Sequence, residues 1–376
     1  MRTLDTWRCV ALLLFAVSSS GLDASASVST LAPQRGVPDA AAAELAALVA
    51  RLEAAAGTAV RCQPLSSPLA LGSALCGAVR VSAPAPPPPR VTVFTTLFRT
   101  EEELVSAFLA DVVRQTALPS TELLVGLVAD EYTDLTVDML GAALGAAAGA
   151  NRSAFNRVRI VFWPTDPGLY SSWSILNLHV PFVAPLRTNW NPDDRRAPYA
   201  LERQLALLDS KPEVDMVSGP VRELTGSPLT ATWANTADAK VLQLASGARG
   251  HLPRKLTLAD FGRVVKSKMD VTNPPHNGPM FRKRLLDVAG GAFDQRLDPL
   301  SDWALWVKGL QGGCIFWHLE SPLVLWFRSP RQYSATHSYT RNEAVQTVLA
   351  QDCDSWQRAL KNNVCALTAL ARDASA

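Results

Sequence analysis

Arg90-Val91-Thr92-Val93-Phe94-Thr95-Thr96-Leu97-Phe98 is β-branched and apolar enough for a strand, and Thr100 with Glu103 then has the spacing of a capping box. In the helix that this box opens, Leu104, Ala107, Phe108 and Val112 fall on one face. The same unit recurs down the chain. Residues 123–129 read as the next strand, followed by an Ala-rich helix to residue 150, a strand at 158–163 and a helix after Gly168. A strand at 182–186, a helix through Leu208 and a strand at 214–218 complete the run. Strands alternating with helices in this way predict an α/β fold, with a mostly parallel sheet covered by helices on both faces.

Ligands of such sheets gather outside the carboxyl ends of the strands. Asp130-Glu131, Asp166 and the cluster Asn191-Pro192-Asp193-Asp194-Arg195-Arg196 each follow one of the expected strands, so all three are expected on one rim. Adjacent carboxylates commonly serve as a solvated turn or a helix cap. On a ligand-binding rim, with an amide oxygen two residues upstream, they form an all-oxygen cluster suited to Mg²⁺ or Mn²⁺, ions that keep room for substrate phosphates. That is nucleotide chemistry.

Residues 220–275 are less regular and are expected to make an excursion over the site. His276-Asn277-Gly278-Pro279-Met280-Phe281-Arg282 then opens a helix to Val288, and a second helix begins at Ser301-Asp302-Trp303 and ends near Gly312-Gly313. Residues 314–319 and 323–327 read as strands, and 341–376 as a helical extension. Toward the other end, residues 38–60 are Ala-rich and Leu-spaced, giving a helical stalk region over 27–82. The Pro-rich run of 83–90 makes a stiff linker. The main domain is expected over 91–340.

The chain has 376 residues, a hydrophobic fraction of 48% and a charged fraction of 19%, the balance of a protein with a sizeable core. A formal net charge of +2, without a long Lys/Arg run, argues against a nucleic-acid partner. Residues 1–26 carry Arg2 and Arg8, a short apolar run and then small residues ending Ala24-Ser25-Ala26, the order of a secretory signal. That run is too short for a transmembrane span. The expected location is the secretory-pathway lumen (Golgi or ER) or outside the cell, with organellar transit as the weaker alternative. In an oxidising compartment, Cys62 with Cys76 and Cys353 with Cys365 are the neighbouring candidates for pairing, while Cys314 sits in an apolar strand. Asn151-Arg152-Ser153 is a glycosylation sequon.

Five pieces fall in order between residues 91 and 337: Asp166-Pro167-Gly168-Leu169-Tyr170 with Trp173; Asn191 with Asp193-Asp194-Arg195-Arg196; Leu201-Glu202-Arg203-Gln204 running on to Pro212-Glu213-Val214-Asp215; Gly278-Pro279-Met280-Phe281-Arg282; and Asp302-Trp303 with Trp306. In these the chain resembles the inverting glycosyltransferases of family 2, which have the GT-A fold, and most nearly the bacterial-type members. The resemblance implies transfer of a sugar from a nucleotide-diphosphate donor to a hydroxyl of a glycan, lipid or protein, with Mn²⁺ or Mg²⁺ on the diphosphate. Asp193 and Asp194 match the family's metal motif, with Asn191 where an Asp usually stands. Asp302 matches the catalytic base. Asp130, with Asp134 as the neighbouring choice of register, and Thr95 with Thr96 match positions that touch the nucleotide. His337 stands where some relatives place a metal-binding His.

Arg195 and Arg196 are candidates for the donor phosphates. His276 and Asn277 are candidates for reading the acceptor. Trp303 and Trp306, three apart on one helix face, serve the core or stack on a sugar. The competing class is a degenerate GT-A protein that binds glycan or nucleotide without turnover, an alternative that Asn191 invites. A nucleotidyltransferase would favour a Gly-rich basic loop after the first strand, where this chain has Arg99-Thr100-Glu101-Glu102-Glu103.

Overall fold

The computed structural model describes residues 47, 50–51, 54, 60–64, 74–78, 88–98, 100, 102–117, 120–128, 136–138, 140, 157–163, 166–224, 231, 233–236, 241–242, 254–265, 268–271, 273–275, 278–291, 293–327, 341–351 and 353–360. The expected signal segment, most of the Pro-rich run, Asp130, Glu131, Asp134, Asn151, His276, Asn277, His337 and Cys365 lie outside these residues. The chain divides into two compact units, residues 1–184 and 185–376.

In the first unit the strands are β1 (Val60–Pro64), β2 (Ala74–Ala78), β3 (Val91–Leu97), β4 (Thr121–Val128) and β5 (Arg157–Trp163), in the order β1-β2-β5-β4-β3. β3, β4 and β5 are mutually parallel. All eight residues of β4 are buried, as a strand covered on both faces requires. One ionic cluster crosses all three strands. Arg159 Nε donates to Glu122 Oε1 at 2.6 Å, and Thr92 Oγ1 donates to Glu122 Oε2 at 2.5 Å, so the buried carboxylate is paired and hydrogen-bonded. Helix α1 (Glu102–Val113) connects β3 to β4 and buries Phe108 and Val112, as expected, together with Val105 and Leu109, while the expected Leu104 and Ala107 are half-buried. Helix α2 (Leu169–Leu178) packs on β3, with the Trp173 ring edge-on to Phe94 at 6.1 Å.

The stretch expected as a helical stalk region is helical at residues 47, 50, 51 and 54 but then contains two strands. β1 and β2 form an antiparallel pair, and β2 adds antiparallel to β5 with Cys76 opposite Ile160, so this sheet begins before the Pro-rich run and not after it. Five-residue strands such as Ala74-Leu75-Cys76-Gly77-Ala78 are too short and too Ala-rich to stand out by alternation.

In the second unit, β6 (Leu186–Asn189), β8 (Met216–Ser218), β11 (Arg254–Leu256), β14 (Met280–Arg282) and β15 (Phe316–His318) lie in the order β6-β14-β8-β15-β11. β7 (Arg195–Arg196), β9 (Val221–Leu224), β10 (Val241–Leu242) and β16 (Val324–Phe327) form a smaller sheet, and β12 (Gly262–Val265) pairs with β13 (Lys268–Val271). The irregular 220–275 segment thus contributes five short strands. β14 was read as part of a helix. It is a strand inserted antiparallel between β6 and β8, with Met280 opposite both Thr188 and Val217, and only Lys283–Val288 is helical (α4). The sheet is therefore mixed here, with β8 and β15 parallel.

Helix α3 (Ala200–Ser210) buries Leu201, Gln204, Leu205 and Leu208. Helix α5 (Ser301–Gln311) turns Trp303 and Trp306 inward, at 0% and 2% exposure. Trp303 stacks on Trp356 of α7 (Cys353–Leu360), which follows α6 (Arg341–Gln351), at 5.8 Å and 25°. Trp306 meets Phe281 and Phe293. Both tryptophans belong to the core, which removes them as sugar-stacking surfaces. No helix among the described residues is long and apolar enough to cross a membrane.

Candidate functional site

β6 and β7 are joined by a tight turn built from the metal-type cluster. Asp194 N donates to Asn191 O at 3.1 Å, making Asn191-Pro192-Asp193-Asp194 a four-residue turn with proline at its second position, where a fixed φ suits the geometry. Trp190 is fully buried beneath the turn, and its Nε1 donates to Asp194 O at 3.1 Å. Pairing of β7 with Leu325 and Val324 of β16 fixes the outgoing limb.

The two neighbouring arginines do not share a fate with a solvated helix start. Both are buried, and Arg196 is the brace of the turn. Its guanidinium lies 4.5 Å from the Trp190 ring centre, a desolvated cation–π contact. Its Nη2 donates to Thr188 Oγ1 at 3.2 Å and to the carbonyl of Asn189. Burial pulls the Arg196 pKa down to about 9, against the opposing charge of Asp194. Arg195 is buried too and pairs by backbone with Leu325.

Gly278 completes the brace. It sits at φ +77, and a Cβ there would fall on Arg196 Nη2 and lie 2.6 Å from Cζ. Its carbonyl accepts from Thr188 Oγ1 at 3.3 Å and from Gln204 Nε2 at 2.9 Å, the latter reaching from α3. Thus Gly278 meets Gln204 through its carbonyl and Arg196 through its missing Cβ, joining three of the pieces quoted above.

Asp193 and Asp194 differ in surroundings. Asp194 is buried beside the Arg196 charge. Asp193 is pushed to a raised pKa by burial, with only a backbone hydrogen bond in opposition. A carboxylate that loses solvation without a compensating cation is the kind of group a metal ion relieves. Asp193 and the Asn191 amide, two residues apart in the turn, are oxygen donors of the kind that Mn²⁺ or Mg²⁺ takes. Among the described residues no three His, Cys, Asp or Glu side chains gather around one point.

Asp302 lies in the first turn of α5, half-buried. Its Oδ1 accepts the Trp303 N–H at 2.7 Å and its Oδ2 accepts Asn273 Nδ2 at 2.8 Å. Trp303 is in turn anchored by donation from Nε1 to Phe261 O at 2.9 Å. The carboxylate is therefore held at both oxygens. Asn273 carries no signal in the sequence beyond its place ahead of Pro274-Pro275, and was missed. It links the two features of this unit: Asn273 touches Asp302, and Gly278, five residues on, touches Arg196.

In the first unit, Thr95 lies toward the carboxyl end of β3, and its buried Oγ1 has no hydrogen-bond partner among the described residues. A stranded hydroxyl at a strand's carboxyl end suits a polar ligand atom. Asp166 is exposed and spends one oxygen on its own turn, accepting Gly168 N at 2.8 Å, where Gly168 has φ 84. His318 is buried, its Nδ1 2.9 Å from Ser218 Oγ, with its pKa lowered to about 4 first by burial and then by the charge of Arg254.

No known family model and no curated protein matches the chain. Solved structures are similar in fold. TarS 1-349 from S. aureus in complex with UDP-GlcNAc has a TM-score of 0.50 and 10% identity, over 71% of this chain and 67% of that one. The same fragment in complex with UDP has a TM-score of 0.49 and 12% identity, over 71% and 66%. Mannosyltransferase PcManGT from Pyrobaculum calidifontis, in complex with GDP-Man and Mn²⁺, has a TM-score of 0.44 and 17% identity, over 82% and 72%. The chain spans about two thirds of the length of the TarS fragment. The fold is α/β and GT-A-like, as in TarS.

Proposed function

We propose that this protein is a metal-dependent inverting glycosyltransferase of the family 2 type, moving a sugar from a nucleotide-diphosphate donor to a hydroxyl acceptor. The observation that carries the reading is the Asp302 carboxylate in the first turn of its helix, held at one oxygen by the Trp303 N–H and at the other by Asn273. Asp302 takes the proton of the acceptor hydroxyl as that oxygen bonds to the anomeric carbon, while the bond from that carbon to the donor phosphate oxygen breaks. Attack from the face opposite the nucleotide inverts the anomeric centre.

Asn191, Asp193 and Asp194 hold Mn²⁺ or Mg²⁺ in this reading, and the bound ion supplies positive charge that stabilises the departing diphosphate. Arg196 keeps the turn in shape from below. Thr95 and Asp130 carry the nucleoside contact, and His337 is retained as a further metal ligand. The neighbours TarS and PcManGT, with UDP-GlcNAc and with GDP-Man and Mn²⁺, support the donor class and the metal as proposals for this chain. A secretory-pathway location remains the proposal drawn from residues 1–26.

The degenerate reading, a GT-A-fold protein that binds nucleotide or glycan without turnover, is favoured by Asn191 in place of an acidic ligand. Release of free sugar from a panel of nucleotide sugars, with Mn²⁺ present and absent, tests between the two. Mn²⁺-dependent release is the expected result. Tight donor binding without release or transfer under any condition would hand the case to the degenerate reading.

A further inference from the structure

We infer that Cys62 and Cys76 form a disulfide that fastens strand β1 to β2. The two residues are direct register partners in the antiparallel β1–β2 pair, so they share one face of the sheet. The kind of pair follows from Pro64, which is opposite Ala74 in the same register. Proline has no N–H and cannot exchange both backbone bonds with a partner, so Pro64–Ala74 is a non-hydrogen-bonded pair. The two kinds of pair alternate along an antiparallel ladder. Two residues back, Cys62–Cys76 is therefore also of the non-hydrogen-bonded kind, the closer of the two, with Cα atoms about 4.5 Å apart. That spacing falls inside the roughly 4.4–6.8 Å that a disulfide bridges.

The position also has a use. β1 stands at the end of the strand order and its neighbour is β2. A short terminal strand held by one partner frays and offers its free edge to other chains, and a covalent tie limits both. Cys314 is a poor competitor for either sulfur, since it is buried and its thiol pKa is pushed up to about 11. The bond forms by oxidation: the two thiols give up two protons and two electrons to a small-molecule disulfide such as oxidised glutathione, which is reduced to two thiols as the Cys62–Cys76 sulfur bond closes.

The test equilibrates the full chain with oxidised and reduced glutathione, natively and in urea, quenches in acid, alkylates free thiols and maps peptides without reduction. A cross-linked peptide joining Cys62 to Cys76, two hydrogens lighter than its free-thiol halves, is expected. The native equilibrium constant for its formation should exceed that in urea by at least about tenfold. Cys62→Ser should leave Cys76 alkylated and abolish that peptide. Alkylation of both cysteines in the native protein overturns the inference. So does joining of Cys62 to another cysteine, or a native constant no larger than that in urea.

Discussion

Gly278→Ala would test whether the Arg196 brace organises the Asp193–Asp194 turn. The added methyl meets two separate penalties. An L-residue at φ +77 costs about 1–2 kcal/mol. The Cβ would also stand 2.6 Å from Arg196 Cζ, and the guanidinium, fully buried and bonded to Thr188 and Asn189, has no room to retreat without losing at least one of those bonds. A hydrogen bond from a charged group is worth about 1.5–3 kcal/mol, so the whole substitution should cost about 3–5 kcal/mol. Gly290→Ala is the matched control, because Gly290 has φ +84 and nothing within 4 Å of its would-be Cβ, leaving only the backbone penalty. Equilibrium urea unfolding followed by tryptophan fluorescence compares the two. In an Arg196→Ala background the excess cost of Gly278→Ala should vanish, giving a coupling of about 2 kcal/mol. If Gly278→Ala costs no more than Gly290→Ala, or if the excess survives removal of Arg196, the brace is not what holds this turn.

Three further outcomes follow from the same geometry. His318 has its pKa lowered to about 4, below an unfolded value of about 6.5, so the unfolded chain binds more protons between those pH values and stability is lost as pH falls through that window, by about 3 kcal/mol; His318→Leu should lose less stability across the window than wild type, read by thermal melts at pH 7 and pH 4. Burial raises the Asp193 pKa, so its ionised form destabilises the metal-free fold at neutral pH. Asp193→Asn should therefore melt at a higher temperature than wild type without metal, yet lose the Mn²⁺-dependent gain, about 2.7 kcal/mol at a hundred times Kd for wild type. Asn273→Ala removes one donor from Asp302 and should lower turnover about tenfold while donor affinity by calorimetry stays within about twofold; an equal fall in both would make Asn273 a general structural residue.

Long, apolar elements were legible in the sequence because a strand buried on both faces leaves a continuous run. β3 and β4 are of that kind, and α1 was legible from its apolar residues at helical spacing. Short elements were not. β14 has three residues, and Met280-Phe281-Arg282 gains its identity as a strand only by pairing with β6 and β8. The same holds for β2, whose partner β5 lies far along the chain. At the site, Asp302 and the Asp193–Asp194 turn could be picked out by residue type and resemblance. The roles of Arg196 and Asn273 could not, since an arginine beside an aspartate reads as a candidate for the donor phosphates until Trp190 and Gly278 are seen to enclose it. Trp303 and Trp306, for which helical spacing left core and sugar stacking both open, go to the core, their faces taken up by Trp356, Phe281 and Phe293.

The central claim is that Asp302 takes a proton in glycosyl transfer, and steady-state kinetics of Asp302→Asn with Mn²⁺ and a nucleotide-sugar donor tests it most directly. The substitution keeps the size of the side chain and should leave donor binding nearly unchanged while lowering kcat at least about a hundredfold. A variant with kcat near wild type would contradict the assignment.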